Sequence, residues 1–161
     1  MPDMRFSDLL KTSSVVLELP KQDRFGTIRH LVDALSAEDL LKNPERAFEA
    51  VEAREKVLST GVGSGIAVPH ATLNSLNNPL VAFGRSQEGI DFEAIDGKPV
   101  HLIFLLLSPG DAYELHLRML SRISRLCTEE SLRNRLRLAP TADSLIDILQ
   151  EREKELPDLT P

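Results

Sequence analysis

One uninterrupted apolar segment constrains the fold of this chain more than any other feature. In residues 99–107, PVHLIFLLL, only His101 is polar. An Asp-Gly turn at 96–97 precedes the segment, and Ser-Pro-Gly at 108–110 follows it. An apolar run bounded in this way is typical of a central strand that is covered on both faces. It is far shorter than the roughly 20 residues that a helix needs to cross a bilayer, so no direct membrane insertion is predicted.

Helical periodicity flanks this strand on both sides in the sequence. Apolar residues recur at helical spacing from about Arg24 to Leu41. Asn43-Pro44 is a typical helix start, and the helix that begins there is predicted to run to about Leu58, before Gly61. Further helices are predicted at 111–127, at 129–138 and after Thr141, and short strands at 15–19, 79–85 and 90–92.

These elements together predict an α/β fold. The expected architecture is a single-domain sandwich with a central mixed β-sheet flanked by helices. The length of 161 residues is sufficient for one domain with a substantial core. That domain is predicted to span residues 1–161, with a core at about 5–152 and a frayed tail at 153–161.

The acidic balance of the chain limits its partners. With 19 Lys and Arg against 25 Asp and Glu, the formal net charge is −6. Nonspecific binding to nucleic acid depends on Lys and Arg contacts to phosphates, so no nucleic-acid partner is expected. A basic series, Arg118, Arg122 and Arg125, has helical spacing and is interpreted as a solvated helix face.

The cysteine content and the N-terminus bear on the compartment and on cofactors. Cys127 is the single cysteine, which excludes an intrachain disulfide and a Cys-based metal cluster. The first 14 residues lack the apolar core of a signal peptide, so a cytoplasmic location is expected. No His-x-His or His-x-x-x-His pair is present, and neither a metal nor another cofactor is predicted.

The segment TGVGSGIAVPHA, residues 60–71, is the main candidate for chemistry. It fits neither a P-loop, which needs Lys and Ser or Thr after its last glycine, nor a dinucleotide fingerprint, which follows a strand. Two interpretations remain open. Either the segment is a glycine-rich turn with a structural histidine, or its amides form an anion cradle beside a nucleophilic His70. The residues of the candidate cradle are Thr60, Gly61, Gly63, Ser64 and Gly65.

The other histidines have simpler interpretations. His116 shares a helix face with Leu120 and Ile123, so it is expected to pack at the edge of the core. His30 lies among apolar residues of the first long helix, and His101 lies inside the apolar strand. Both are interpreted as structural residues.

Several motifs of the sequence resemble one known family, the mannitol/fructose-type enzyme IIA domain of the bacterial phosphotransferase system. The glycine-to-histidine motif at 59–70, preceded by Arg54, resembles the phosphorylation motif of that family. The match continues through the segments 92–100 and 102–107, His116-Leu117 and Leu120-Ser121. Within the family, the length and the early FSDLL segment most resemble the stand-alone nitrogen-regulatory enzyme IIA, and no fused IIB or IIC domain is expected.

This resemblance implies a phosphocarrier that needs neither metal nor nucleotide. His70 matches the histidine that takes a phosphoryl group from the phosphocarrier HPr or its nitrogen-branch paralogue, which enzyme I charges from phosphoenolpyruvate. His116 matches a second active-site histidine, and Arg54 matches an arginine that stabilises phosphoryl charge. Nitrogen-type members then bind regulatory proteins, such as sensor kinases or potassium transporters, according to phosphorylation state.

Two other functions remain open from the sequence. A sugar-specific enzyme IIA would use the same site and pass the phosphoryl group to a separate IIB domain. A pure interaction module would keep the fold and leave His70 unphosphorylated. The chain also departs from the family pattern at His101, where an acidic residue is often found, and the segment 106–111 matches only loosely.

Overall fold

The apolar segment forms the centre of a mixed six-stranded sheet, as predicted. The computed structural model describes residues 4–37 and 39–157. Its strands are β1 Val15–Val16, β2 Gly61–Gly63, β3 Ile66–Ala67, β4 His70–Leu73, β5 Leu80–Ile90 and β6 Val100–Pro109. Its helices are α1 Phe6–Leu9, α2 Arg24–Ser36, α3 Pro44–Val57, α4 Tyr113–Cys127, α5 Glu130–Leu138 and α6 Ala142–Glu155, with a 3-10 helix at Thr12–Ser14.

Strand β6 pairs on both of its edges. Strand β5 runs antiparallel to it on one side, and β1 pairs parallel to β5 beyond. On the other side β3 and β4 both run parallel to β6, and β2 pairs antiparallel with β3 at the edge of the sheet. The predicted α/β fold with a central mixed sheet is therefore confirmed.

Alternate residues of β6 supply two separate cores. Leu102, Phe104 and Leu106 pack in one cluster with residues of α1, α4, α5 and α6. Ile103 and Leu105 pack in a second cluster with residues of α2 and α3. Because successive side chains of a strand point to opposite faces, an apolar run of this length is buried only if helices cover both faces. None of the described helices is long and apolar enough to cross a membrane.

The predicted helix starts are confirmed where capping residues mark them. The Asn43 side chain accepts a hydrogen bond from the Arg46 amide, and Pro44 occupies the first helical position. Thr141 and Ser144 form a reciprocal capping box at the start of α6. Such caps satisfy amides at a helix start that have no partner within the helix.

Several predicted boundaries are wrong. Helix α2 ends at Ser36 instead of near Leu41, and Asp39 beyond it has a left-handed φ of 60° that a helix cannot continue through. In place of the predicted strands at 79–85 and 90–92 there is one strand, β5, which ends at Ile90 and whose pairing with β6 shifts register between Arg85 and Ile90. Strand β1 contains only two residues of the predicted 15–19.

A buried ion pair overturns two further predictions. Arg122 is only 3% exposed, and its Nε donates to Glu153 Oε2 over 2.7 Å, so it does not belong to a solvated helix face. Glu153 is fully buried and also accepts from the amides of Phe6 and Ser7, at 3.3 and 2.9 Å. The second wrong prediction is the start of the frayed tail at residue 153, because helix α6 continues to Glu155. Residues 158–161 of that tail lie outside the described part.

Candidate functional site

The glycine-rich segment folds as a tight hairpin followed by a strand. Strands β2 and β3 are joined by a turn in which Gly63, Ser64 and Gly65 have left-handed φ values of 96°, 57° and 78°. Glycine adopts such angles without steric cost, whereas Ser64 is held by its amide, which donates to Asp96 Oδ2 at 3.1 Å.

The predicted anion cradle is divided by this hairpin. Thr60 and Gly61 line a depression that contains His70. Ser64 and Gly65 instead line a separate depression with His101. The turn that carries Gly63 and Ser64 is occupied by the Asp96 carboxylate, so the glycine turn does not surround His70 as the cradle hypothesis expected.

A chain of hydrogen bonds fixes the backbone that carries His70. The Glu55 carboxylate is 1% exposed and accepts from the amide of Thr60 at 2.8 Å and from the Thr60 hydroxyl. The carbonyl of Thr60 accepts from the amide of Val68 at 3.0 Å. Pro69 has no amide proton and separates β3 from β4, which begins at His70. The Glu55 side chain and the main-chain bond between Thr60 and Val68 thereby connect the end of α3 to the strand that carries His70.

The same backbone determines which nitrogen of His70 is available. Nδ1 lies 2.7 Å from the carbonyl oxygen of Val68. A carbonyl oxygen can only accept, so Nδ1 carries the proton and Nε2 of the neutral ring keeps its lone pair. Burial, and then the charge of Arg54, lower the pKa of His70, while the Val68 carbonyl and Glu55 act in the opposite direction. The ring is therefore neutral at pH 7.

The structure places His116 beside His70, although the two residues belong to different elements. Their ring centroids are 5.3 Å apart and their planes are inclined by 54°. His116 is 4% exposed, and its Nδ1 lies 2.7 Å from the Ser108 hydroxyl. Burial, and then the proximity of His70, lower the pKa of His116 to about 4. His116 is thus also neutral at pH 7.

Arg54 supplies the positive charge of this region. It lies in the last turn of α3 and donates from Nη1 to the carbonyl of Leu58 at 2.8 Å. It lines both depressions that contain His70, of about 480 and 380 Å³, and the smaller one also contains His116. Of the predicted site residues, the structure therefore brings together His70, His116 and Arg54, with Thr60 and Gly61 at the same depression.

Exposed apolar side chains surround the two depressions. Ile95 is 85% exposed and Leu58 is 70% exposed, and both line the larger depression together with Val62. Leu117 and Tyr113, which are also exposed, line the smaller depression. We call these five residues the apolar rim. Exposed apolar side chains that lie close together in this way are a feature of interaction surfaces.

Three features of the site were not predicted from the sequence. Glu55 contacts Thr60, and Ser108 contacts His116. The apolar rim is assembled from the residue that follows α3, the hairpin, the β5–β6 connection and α4. The only sequence signal for Glu55 was its position among apolar residues on one side of a predicted helix. A charged residue at such a position needs a buried partner. The sequence indicates that a partner exists but does not show which residue it is.

Two bacterial proteins resemble this chain along most of its length. The fructose-specific EIIABC component of Bacillus subtilis is 37% identical over 151 residues, which are 94% of this chain and 24% of that longer protein. The nitrogen regulatory protein of Pseudomonas aeruginosa is 34% identical over 146 residues, which are 91% of this chain and 95% of the relative. This chain therefore spans about a quarter of the first relative and nearly all of the second.

Solved structures and a family model agree with these relatives. The crystal structure of the nitrogen regulatory protein IIA-Ntr from Neisseria meningitidis has a TM-score of 0.79 and 34% identity, and the match covers 89% of this chain and 97% of that one. Residues 8–152 match the family described as phosphoenolpyruvate-dependent sugar phosphotransferase system, EIIA 2. The resemblance noted in the sequence is thereby confirmed, and the chain belongs to the EIIA 2 family of the phosphoenolpyruvate-dependent sugar phosphotransferase system.

Proposed function

We propose that the protein is a phosphocarrier in which Nε2 of His70 accepts a phosphoryl group from a phosphohistidine of an HPr-type carrier. The observation that carries this proposal is the hydrogen bond from Nδ1 of His70 to the Val68 carbonyl. It leaves Nε2 as the nucleophilic nitrogen of a ring that is neutral at pH 7. A nucleophile that needs no deprotonation can react without a separate general base.

The transfer step balances without a cofactor. The lone pair of His70 Nε2 forms the new P–N bond, the P–N bond in the donor breaks, and its electron pair returns to the imidazole of the donor. No proton has to leave His70, because its proton is on Nδ1. The protein mainly contributes positioning and charge stabilisation, which is what phosphoryl transfer requires.

Two neighbours of His70 are suited to stabilise the phosphoryl oxygens. Arg54 lies beside the same depressions and can give charge-assisted hydrogen bonds, which are stronger than neutral ones. His116 remains neutral and adds a second ring nitrogen at the same surface. The apolar rim fits the surface of a carrier protein that must approach His70 closely and exclude water.

Phosphorylation can be tested directly. Incubation with enzyme I, an HPr-type carrier and phosphoenolpyruvate should add one acid-labile phosphoryl group, measured by intact-mass analysis. His70→Ala should abolish this mass increase, whereas the matched variant His30→Ala on α2 should retain it. If the wild type takes up no phosphoryl group, the phosphocarrier proposal is wrong and the protein is an interaction module. Labelling that persists in His70→Ala would place the acceptor elsewhere.

We further propose that the output is regulatory. The Pseudomonas aeruginosa relative, which is covered almost completely, is a nitrogen regulatory protein. The resemblance to the nitrogen-regulatory enzyme IIA implies regulatory partners such as sensor kinases or potassium transporters. Phosphorylation would change the charge of a site that lies within the apolar rim and so alter partner binding. Pull-downs with phosphorylated and unphosphorylated protein should therefore recover different amounts of a regulatory partner.

A second candidate output is transfer to a IIB domain for sugar uptake. It is favoured by the fructose-specific relative from Bacillus subtilis. The two outputs differ by acceptor and share the phosphorylated site. Incubating the phosphorylated protein with separate IIB domains of the same organism distinguishes them, because rapid loss of the phosphoryl group to one IIB domain supports sugar transfer and contradicts a purely regulatory role.

A further inference from the structure

We propose that Ser108 is a positioning residue for phosphoryl transfer, because its hydroxyl donates to Nδ1 of His116 and keeps the proton of that ring on Nε2. The two histidines at the site would then carry opposite tautomers. His70 presents a lone pair on Nε2, and His116 presents an N–H donor on Nε2. The kinetic part of this inference rests on the proposed function, whereas the tautomer itself does not.

The fold brings Ser108 to His116 through the strand pair that also carries His70. In the parallel pairing of β4 with β6, His70 lies opposite Leu106 and Thr72 lies opposite Ser108. Ser108 lies two residues after Leu106, on the same face of β6, which is the face covered by α4. Helix α4 contributes His116, so one end of this strand pair holds both histidines.

The direction of the hydrogen bond follows from burial. Ser108 is fully buried, and its Oγ has no hydrogen bond other than that to His116 within residues 4–37 and 39–157. If Nδ1 carried the proton and donated to Oγ, the hydroxyl proton would be buried without an acceptor. Leaving a buried donor without a partner is costly, whereas a hydroxyl oxygen that accepts nothing is tolerated. The hydroxyl is therefore the donor, and Nδ1 is the acceptor.

This arrangement leaves Nε2 of His116 with a proton to donate. Nε2 of His116 makes no hydrogen bond with any of the described residues. It is also not a completely buried atom, so it can reach a ligand at the surface. The ring lines the 380 Å³ depression together with His70 and Arg54. An N–H donor held in a fixed direction can bind a phosphoryl oxygen without reorganisation during transfer.

The tautomer can be measured before any phosphorylation. In protein labelled with ¹⁵N-histidine, two-bond correlations should show His116 protonated on Nε2 and His70 protonated on Nδ1. Ser108→Ala should shift His116 towards a tautomer mixture, and Ser108→Thr, which retains the hydroxyl, should restore the wild-type signals. As a matched control, Ser86→Ala removes another buried serine hydroxyl from a strand and should leave the His116 signals unchanged. Wild-type His116 protonated on Nδ1, or unchanged signals in Ser108→Ala, would overturn the assignment.

The kinetic consequence is measured by single-turnover transfer from the phosphorylated carrier. Ser108→Ala should slow transfer about tenfold, the effect of misplacing one hydrogen bond in the transition state, and Ser108→Thr should recover most of the rate. Ser86→Ala should transfer at the wild-type rate. If wild-type His70 takes up no phosphoryl group, the proposed function fails while the NMR result stands. If Ser108→Ala transfers as fast as the wild type, the positioning role of Ser108 is wrong while the phosphocarrier function stands.

Discussion

At the scale of single residues, the site depends on how two histidines are kept neutral and differently protonated. The Val68 carbonyl holds the proton of His70 on Nδ1. His116 is kept neutral mainly by burial, which lowers its pKa to about 4. Two protonated rings 5.3 Å apart would repel each other and would leave no lone pair for nucleophilic attack. Neutrality is therefore a requirement of the proposed chemistry.

The depressed pKa of His116 predicts a pH dependence of stability. The unfolded chain binds a proton at this residue below its ordinary pKa of 6.5, whereas the folded protein does so only near 4. The unfolded state binds more protons in this window, so stability falls as the pH falls from 6.5 towards 4. Between pH 6.5 and 5 the titration of His116 should lower the free energy of unfolding by about 1.5 kcal/mol.

Urea denaturation of the wild type and of His116→Gln, at pH 6.5 and at pH 5, measures this contribution. The variant should lose less stability than the wild type over this interval, because glutamine does not titrate. The remaining histidines and the carboxylates are common to both proteins, so the difference between the two losses reports on His116 and on its coupling to His70. Equal losses in the two proteins would show that His116 titrates normally.

At the scale of secondary-structure elements, buried carboxylates connect segments that are distant in the sequence. Glu55 at the end of α3 holds the start of the glycine hairpin through Thr60. Glu153 in α6 holds α1 through the amides of Phe6 and Ser7 and holds α4 through Arg122. Each carboxylate has several donors, which is the condition under which a buried charge is tolerated.

The ion pair between Arg122 and Glu153 predicts a large effect of a single substitution. Glu153→Gln keeps an acceptor for the amides of α1 but leaves the buried Arg122 charge unpaired, so it should destabilise the protein by about 3–5 kcal/mol. Adding Arg122→Met removes that charge and should recover part of the loss. Thermal or urea denaturation measures both effects.

The matched control for this prediction is a more exposed ion pair. Arg152 pairs with Glu129 on the surface, where its side chain is 32% exposed. Arg152→Ala should cost about 1 kcal/mol or less, since surface pairs contribute little. A Glu153→Gln variant no less stable than Arg152→Ala would contradict the structural importance of the buried pair.

At the scale of the whole molecule, the proposed function assigns the apolar rim to the binding of other proteins. Its residues line the two depressions that contain His70. Both depressions are lined by exposed apolar side chains, which suits the exchange of a phosphoryl group with other proteins that we propose.

Introducing a charge into the rim tests this role. Ile95→Glu places a carboxylate where the carrier is expected to bind, so it should lower kcat/KM for transfer from the carrier about tenfold through desolvation and repulsion. Because Ile95 is 85% exposed, stability should change by less than about 0.5 kcal/mol.

Leu138→Glu is the matched control for this variant. Leu138 is 81% exposed but lines a different depression, with Leu17 and Arg85. It should transfer at the wild-type rate. If Ile95→Glu and the wild type have equal kcat/KM for transfer, Ile95 does not contact the carrier and the proposed role of the rim is wrong.

The sequence by itself determined the sheet centre, most helices and the identity of His70 as the candidate nucleophile. An apolar run, helical periodicity and the Gly-Pro-His spacing are local signals, and local signals can be read from neighbouring residues. Only the tertiary structure decided the rest. It set the ring of His116, which the family resemblance had implied as a second site residue, beside His70. It also placed Ser108 behind His116, moved Ser64 and Gly65 away from the site and buried Arg122 against Glu153. Each of these contacts joins residues from different elements, and their pairing depends on strand register and helix packing, which no local pattern specifies.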